Sequence, residues 1–104
     1  MDTVNENIVK VLPQIQQYLA DQPVLCAWLF GSFSRGEETA DSDVDILIRY
    51  KDADTISLFT ISRIMCALSK ILNRKVDLVE EDSLLPFAAE SVLEDRMLIY
   101  ERKN

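Results

Sequence analysis

The sequence predicts an α/β domain, a small sheet with helices packed against it. Three observations lead there. Short apolar runs bounded by Pro, Gly or acidic turns alternate with longer segments whose apolar residues recur every three or four positions. One run, "VLCAWLF" at 24–30, is apolar without a break, as a central strand covered on both faces must be. Of the 104 residues 48% are hydrophobic, enough for one core and too short a chain for two, so residues 1–104 read as a single domain.

The elements follow in order. Residues 4–20 carry a helical stripe of Ile8, Val11, Leu12, Ile15, Tyr18 and Leu19. Pro13 lies inside the stripe and is expected to kink the helix or to mark its true start. Asp21-Gln22-Pro23 ends it, and the strand at 24–30 follows. A loop and short helix around Ser32 to Gly36 lead into an acidic turn. "DVDILIRY", 43–50, reads as the second strand. After the turn "KDAD", Asp54 or Thr55 can cap a helix over 56–72, with Phe59, Ile61, Ile64, Met65, Leu68, Ile71 and Leu72 as its stripe. Asn73 suits its end. "KVDLVEE", 75–81, is a third strand, "LLPFAAESVLED" a shorter helix with Pro86 in its first turn, and "MLIYER", 97–102, a last strand.

Charge and composition narrow the function. The net charge of −7 argues against a free-standing binder of nucleic-acid backbones and fits a chain that collects divalent metal or docks on a basic partner. There is no histidine, so no mechanism can draw an imidazole base or metal ligand from this chain. Cys26 and Cys66 sit in apolar runs and read as buried thiols of a reducing cytoplasm. No apolar run approaches the ~20 residues that span a bilayer. The start "MDTVNENIVK" lacks a basic segment followed by an apolar core, so no secretion signal is expected.

The chemistry concentrates in "LFGSFSRGEETADSDVDILI", residues 29–48. Asp43 and Asp45 are two apart in a strand and share a face, with Val44 turned to the core. Two such carboxylates repel unless a cation lies between them, and oxygen donors without His or Cys select Mg²⁺ or Mn²⁺. A solvated strand edge would hold the same pair. Asp77 is a third carboxylate inside an apolar run, and a solvated position would again serve. Three such residues in one short chain suggest one acidic cluster on one sheet face. Gly31-Ser32, directly after the first strand, offers backbone N–H groups and a hydroxyl to an anion, although Gly-Ser is also an ordinary turn. Arg35 would add a cation near phosphates, or else pair with Glu37, Glu38 or Asp41 at the surface. Phosphate donors beside a metal-binding carboxylate pair describe a nucleoside triphosphate site.

"Gly31-Ser32", ten residues, then "Asp43-Val44-Asp45" resembles the GS-x10-DxD signature of DNA polymerase β-like nucleotidyltransferases. "LFGS", "RG", "SDVDILI" and "VDLV" recur in the order of that family, and the length resembles its minimal members. Ser34 stands where many of these proteins have Ala before Arg-Gly.

The resemblance implies a mixed sheet of the polymerase palm type. Asp43 and Asp45 would hold two Mg²⁺ ions (Mn²⁺ as substitute), with Asp77 completing the site and acting as base. Gly31, Ser32 and Arg35 would bind the triphosphate of ATP. Minimal nucleotidyltransferases act as antitoxins beside helical HEPN-domain RNase toxins and transfer AMP to a toxin tyrosine. A hetero-oligomeric cytoplasmic pair is therefore implied, without direct nucleic-acid or membrane binding by this chain. Two other readings remain: an aminoglycoside-type small-molecule nucleotidyltransferase, and a non-catalytic antitoxin that masks its partner. Trp28, Tyr18 or Tyr50 could stack on a base, although the central strand gives Trp28 a core position. Phe87, Val92, Leu98 and Tyr100 are candidates for a partner surface, with core packing the ordinary use.

Overall fold

The computed structural model describes residues 6–30, 43–81 and 96–102. Within them two helices pack on one face of a four-stranded mixed sheet. The elements are α1 (Glu6–Ala20), β1 (Val24–Phe30), β2 (Val44–Tyr50), α2 (Leu58–Leu72), β3 (Val76–Glu80) and β4 (Met97–Glu101), with a single 3₁₀ turn at Ala53–Thr55 before α2. The strand order is β3-β2-β1-β4. β1 pairs antiparallel with β2 and β4, while β2 and β3 run parallel because α2 carries the chain back between them. The expected short helices after Gly31 and over Leu84–Asp95 lie outside the described residues.

α1 runs through Pro13, so the proline does not mark its start. It buries Ile8, Ile15 and Leu19 and half-buries Val11, Leu12 and Tyr18, the stripe that its spacing predicts. Arg102 closes its end, donating to the carbonyl oxygen of its last residue, Ala20, at 3.1 Å and to those of Gln22 in the following turn and Val24 of β1 at 2.7 and 3.0 Å. A guanidinium there also complements the negative end of the helix.

α2 starts later than expected. Its cap is Ser57, whose hydroxyl accepts from the Thr60 N–H, whereas Asp54 and Thr55 belong to the preceding 3₁₀ turn. Asn73 ends it in the left-handed conformation, as its residue type suggested. Ile64 and Leu68 are buried, but Phe59 is 88% exposed and drops out of the predicted stripe. Cys66 is likewise exposed rather than buried, while Cys26 is buried, and both are free thiols. The reason is angular. Phe59 and Cys66 each lie two residues before a stripe member (Ile61 and Leu68), about 200° round the helix.

The core lies between the helices and the inner sheet face, where Val24, Ala27, Leu29, Val44, Ile46, Ile48, Tyr50, Val76, Ile99 and Tyr100 meet them. Tyr100 is therefore core, and Leu98, about half exposed, is the member of the candidate partner surface that faces outward; Phe87 and Val92 lie outside the described residues. No helix among the described residues is long and apolar enough to cross a membrane. Ile46→Ala on central strand β2 should cost about 2–5 kcal/mol through lost burial and the cavity left behind. For a domain of this size that lowers the melting temperature by roughly 8–40 °C. A melt within a few degrees of wild type would show that this layer is not the main core.

Candidate active site

The sheet's outer face is laid out in rows by strand alternation. Cys26, Trp28 and Leu47 are buried there, with Leu25, Phe30 and Val79 packed against them. Register aligns Phe30 with Asp45 and Asp45 with Asp77, then Trp28 with Leu47 and Leu47 with Val79. The two aspartates are thus direct neighbours on adjacent strands, at the end of the sheet where β1 finishes and β2 and β3 begin. Strand spacing puts their Cα atoms about 5 Å apart.

Local structure ties down the start of β3 beside these residues. The Asn73 cap closes α2, and the Val44 N–H donates to the Lys75 carbonyl at 2.9 Å. The Val76 N–H donates to the Ser69 hydroxyl at 3.2 Å, which ties the start of β3 to the last turn of α2. Asp43 directly precedes β2, half-exposed, with the Lys75 ammonium 3.9 Å from its Oδ2. Asp45 and Asp77 are also partly buried.

Burial, then the charges of Asp77 and Asp43, push the Asp45 carboxyl above its ordinary range. Asp45 therefore senses both of the other predicted acids. As they stand they do not converge: among the described residues no group of three His, Cys, Asp or Glu side chains is placed to hold a metal ion. The donor chemistry fits a hard divalent cation: three carboxylates at one sheet end, with their repulsion still uncompensated at Asp45. Gly31, Ser32 and Arg35, the expected phosphate contacts, lie outside the described residues.

Trp28 is only 7% exposed, yet it lies on the outer face rather than in the helix-facing core. The guanidinium groups of Arg49 and Arg96 lie 5.3 and 4.1 Å from its ring centroid. Both arginines bind Glu81. Sequence reading missed this cluster. Its one signal is parity, since Arg49 and Glu81 stand four residues after Asp45 and Asp77 and so share their face.

Known proteins agree with this layout. Residues 13–104 match the family described as polymerase beta, nucleotidyltransferase. A Methanocaldococcus jannaschii chain that bears the name of a protein adenylyltransferase is 36% identical over 102 residues, covering 96% of this chain and 99% of its own. Among solved structures, one described as a minimal nucleotidyltransferase superposes with a TM-score of 0.77 at 30% identity, covering 93% of this chain and 95% of that one. A mutant toxin–antitoxin complex containing MntA matches with a TM-score of 0.63 at 28% identity, covering 96% of this chain and 75% of that one. With the family match spanning the sheet and its row of aspartates, the chain belongs to the polymerase β-type nucleotidyltransferases.

Proposed function

We propose that this enzyme transfers AMP from ATP to a hydroxyl, a tyrosine by preference, of a HEPN-type toxin, and so acts as a cytoplasmic antitoxin. The observation that carries the reading is the register of Asp45 against Asp77 on the open end of the sheet, with Asp43 beside them. The relative named as a protein adenylyltransferase and the toxin–antitoxin neighbour support the choice of a protein acceptor.

Asp43, Asp45 and Asp77 would hold Mg²⁺ or Mn²⁺, which when bound supplies charge neutralisation of the triphosphate and a lowered pKa for the attacking hydroxyl. Asp77 would take the proton of that hydroxyl. Its oxygen bonds to the α-phosphorus, the bond from the α-phosphorus to the bridging oxygen breaks, and pyrophosphate leaves. Gly31 and Ser32 would donate to the terminal phosphates and Arg35 would offset their charge. The net charge of −7 suits docking on a basic RNase surface, and charge complementarity acts mainly on encounter rate.

Co-expression with a HEPN-type protein encoded beside it, followed by intact mass spectrometry, tests the proposal. The expected result is one or more AMP additions on the partner, absent with Asp43→Asn, in a complex that weakens with salt. A partner that stays unmodified yet silenced would replace transfer by masking.

A further inference from the structure

Behind the row of aspartates stands the Arg49–Glu81–Arg96 cluster, which the proposed chemistry leaves without a task. Arg49 donates to both carboxylate oxygens of Glu81, Nε to Oε1 at 2.7 Å and Nη2 to Oε2 at 3.0 Å. Arg96 donates Nη1 to the same Oε2 at 2.8 Å. The Glu81 carboxyl is held below its ordinary range, first by the Arg49 hydrogen bonds.

The placement of these three residues matters more than their number. β3 is an edge strand of five residues whose ladder runs to β2. Burial of Val76, with Leu78 packed on the core, decides which side of β3 faces out, and the far end of this short edge strand depends on contacts beyond the ladder. A slip of one residue would turn Asp77 from the outer face to the helix face. The start of β3 is fixed by Ser69 and by the Val44–Lys75 bond. Its far end is fixed by Glu81, directly after the strand, through a two-point fork on Arg49 of β2. Arg96, directly before β4, crosses over Trp28 of β1 to the same carboxylate. One carboxylate thus links both edges of the sheet across its outer face. Arg49 and Glu81 stand four residues beyond Asp45 and Asp77, one position past the last paired residues, Ile48 and Glu80.

We infer that Glu81, Arg49 and Arg96 are positioning residues for Asp77: they lock β3 on β2 and thereby set the spacing of Asp77 from Asp45. The inference rests on the metal-dependent reading of the aspartates. A clamp that only stabilised the fold would change the melt and leave cation binding alone.

The test is Mn²⁺ binding to the full chain, followed by electron paramagnetic resonance with a non-hydrolysable ATP analogue present. Glu81→Gln should keep a cooperative melt and lose about tenfold in Mn²⁺ affinity, as when groups that orient metal ligands are removed. Arg49→Lys, which keeps the charge but loses the fork, should behave the same way. Fluorescence of Trp28, the one tryptophan of the chain, should shift in both and report that the clamp has opened. Wild-type Mn²⁺ affinity in a folded Glu81→Gln overturns the inference, even with a lowered melting temperature. Should that variant not fold, Arg49→Lys decides by the same two outcomes. No Mn²⁺ binding by the wild-type chain would instead remove the aspartate reading and the inference with it.

Discussion

ATP is expected to bind this chain well only when a divalent cation is present, with affinity falling about a hundredfold in EDTA. The site brings three carboxylates to one end of the sheet, and the Asp45 carboxyl already sits above its ordinary range through burial and the charges of Asp77 and Asp43. Among the described residues, Lys75, 3.9 Å from Asp43, is the cation that forms an ion pair with these acids. A triphosphate brings further negative charge to the same place. Like charges 4–5 Å apart cost roughly 3–4 kcal/mol at an effective dielectric near 20. Solvent screening at this half-exposed strand end cuts that to about 1–2 kcal/mol per contact. Two such contacts amount to a factor of about a hundred in affinity. Isothermal calorimetry with ATP in Mg²⁺ and in EDTA measures it. Equal binding in both would remove the cation from the mechanism, and the acids would then be surface charges.

Much of this arrangement was legible in the sequence, because the strongest signals are local. An unbroken apolar run with Pro before it and Gly after it can only be comfortable in a sheet interior, and β1 matches it residue for residue. Asp43 and Asp45 stood out because aspartate is a poor strand residue. Parity alone put Asp45 and Asp77 on outer faces, while their side-by-side register follows from the parallel pairing of β2 with β3. The start of α2 was harder. Asp54, Thr55 and Ser57 are all good caps within four residues, and the choice falls to Ser57 because Thr55 is already bonded to the Asp52 carbonyl inside the 3₁₀ turn.

What the sequence could not show is contact between distant residues of ordinary type. Arg49 in a strand reads as a solvent-facing charge, Glu81 as the end of an acidic pair, and Arg96 as the tail of a helix. Their meeting over Trp28 requires β4 to lie beside β1, and the antiparallel pairing at that edge carries no motif. The aromatic ring shows the same limit. Its central strand predicted burial, which holds, but among the described residues two guanidinium groups, not α1 or α2, lie over its ring. The clamp and the acids together make the outer face a graded surface, with negative charge at one end and arginine-bound carboxylate at the other. An apolar row of Trp28, Leu47 and Val79 lies between them.

Asp45→Asn should lower nucleotidyl transfer about a thousandfold, the loss of roughly 4 kcal/mol of transition-state stabilisation expected when a metal ligand is removed. The same change should make the isolated chain slightly more stable. Asp45 holds its proton more tightly folded than unfolded, so its contribution to stability is greatest below the unfolded carboxylate range and is lost as pH rises through the folded value. At neutral pH the ionised group therefore opposes folding, through burial and through repulsion from Asp77 and Asp43. Asparagine keeps the shape and removes the charge. The variant should melt a few degrees above wild type near pH 7, a shift worth about 0.5–1 kcal/mol in a domain of this size. That advantage should narrow as pH falls through the raised folded value, where the wild-type carboxyl takes up its proton. Transfer to the partner followed by mass spectrometry, and melts over the same pH range, give the two readouts. Near wild-type transfer would show that Asp45 is not a metal ligand, and loss of the cooperative melt would give it a structural role instead.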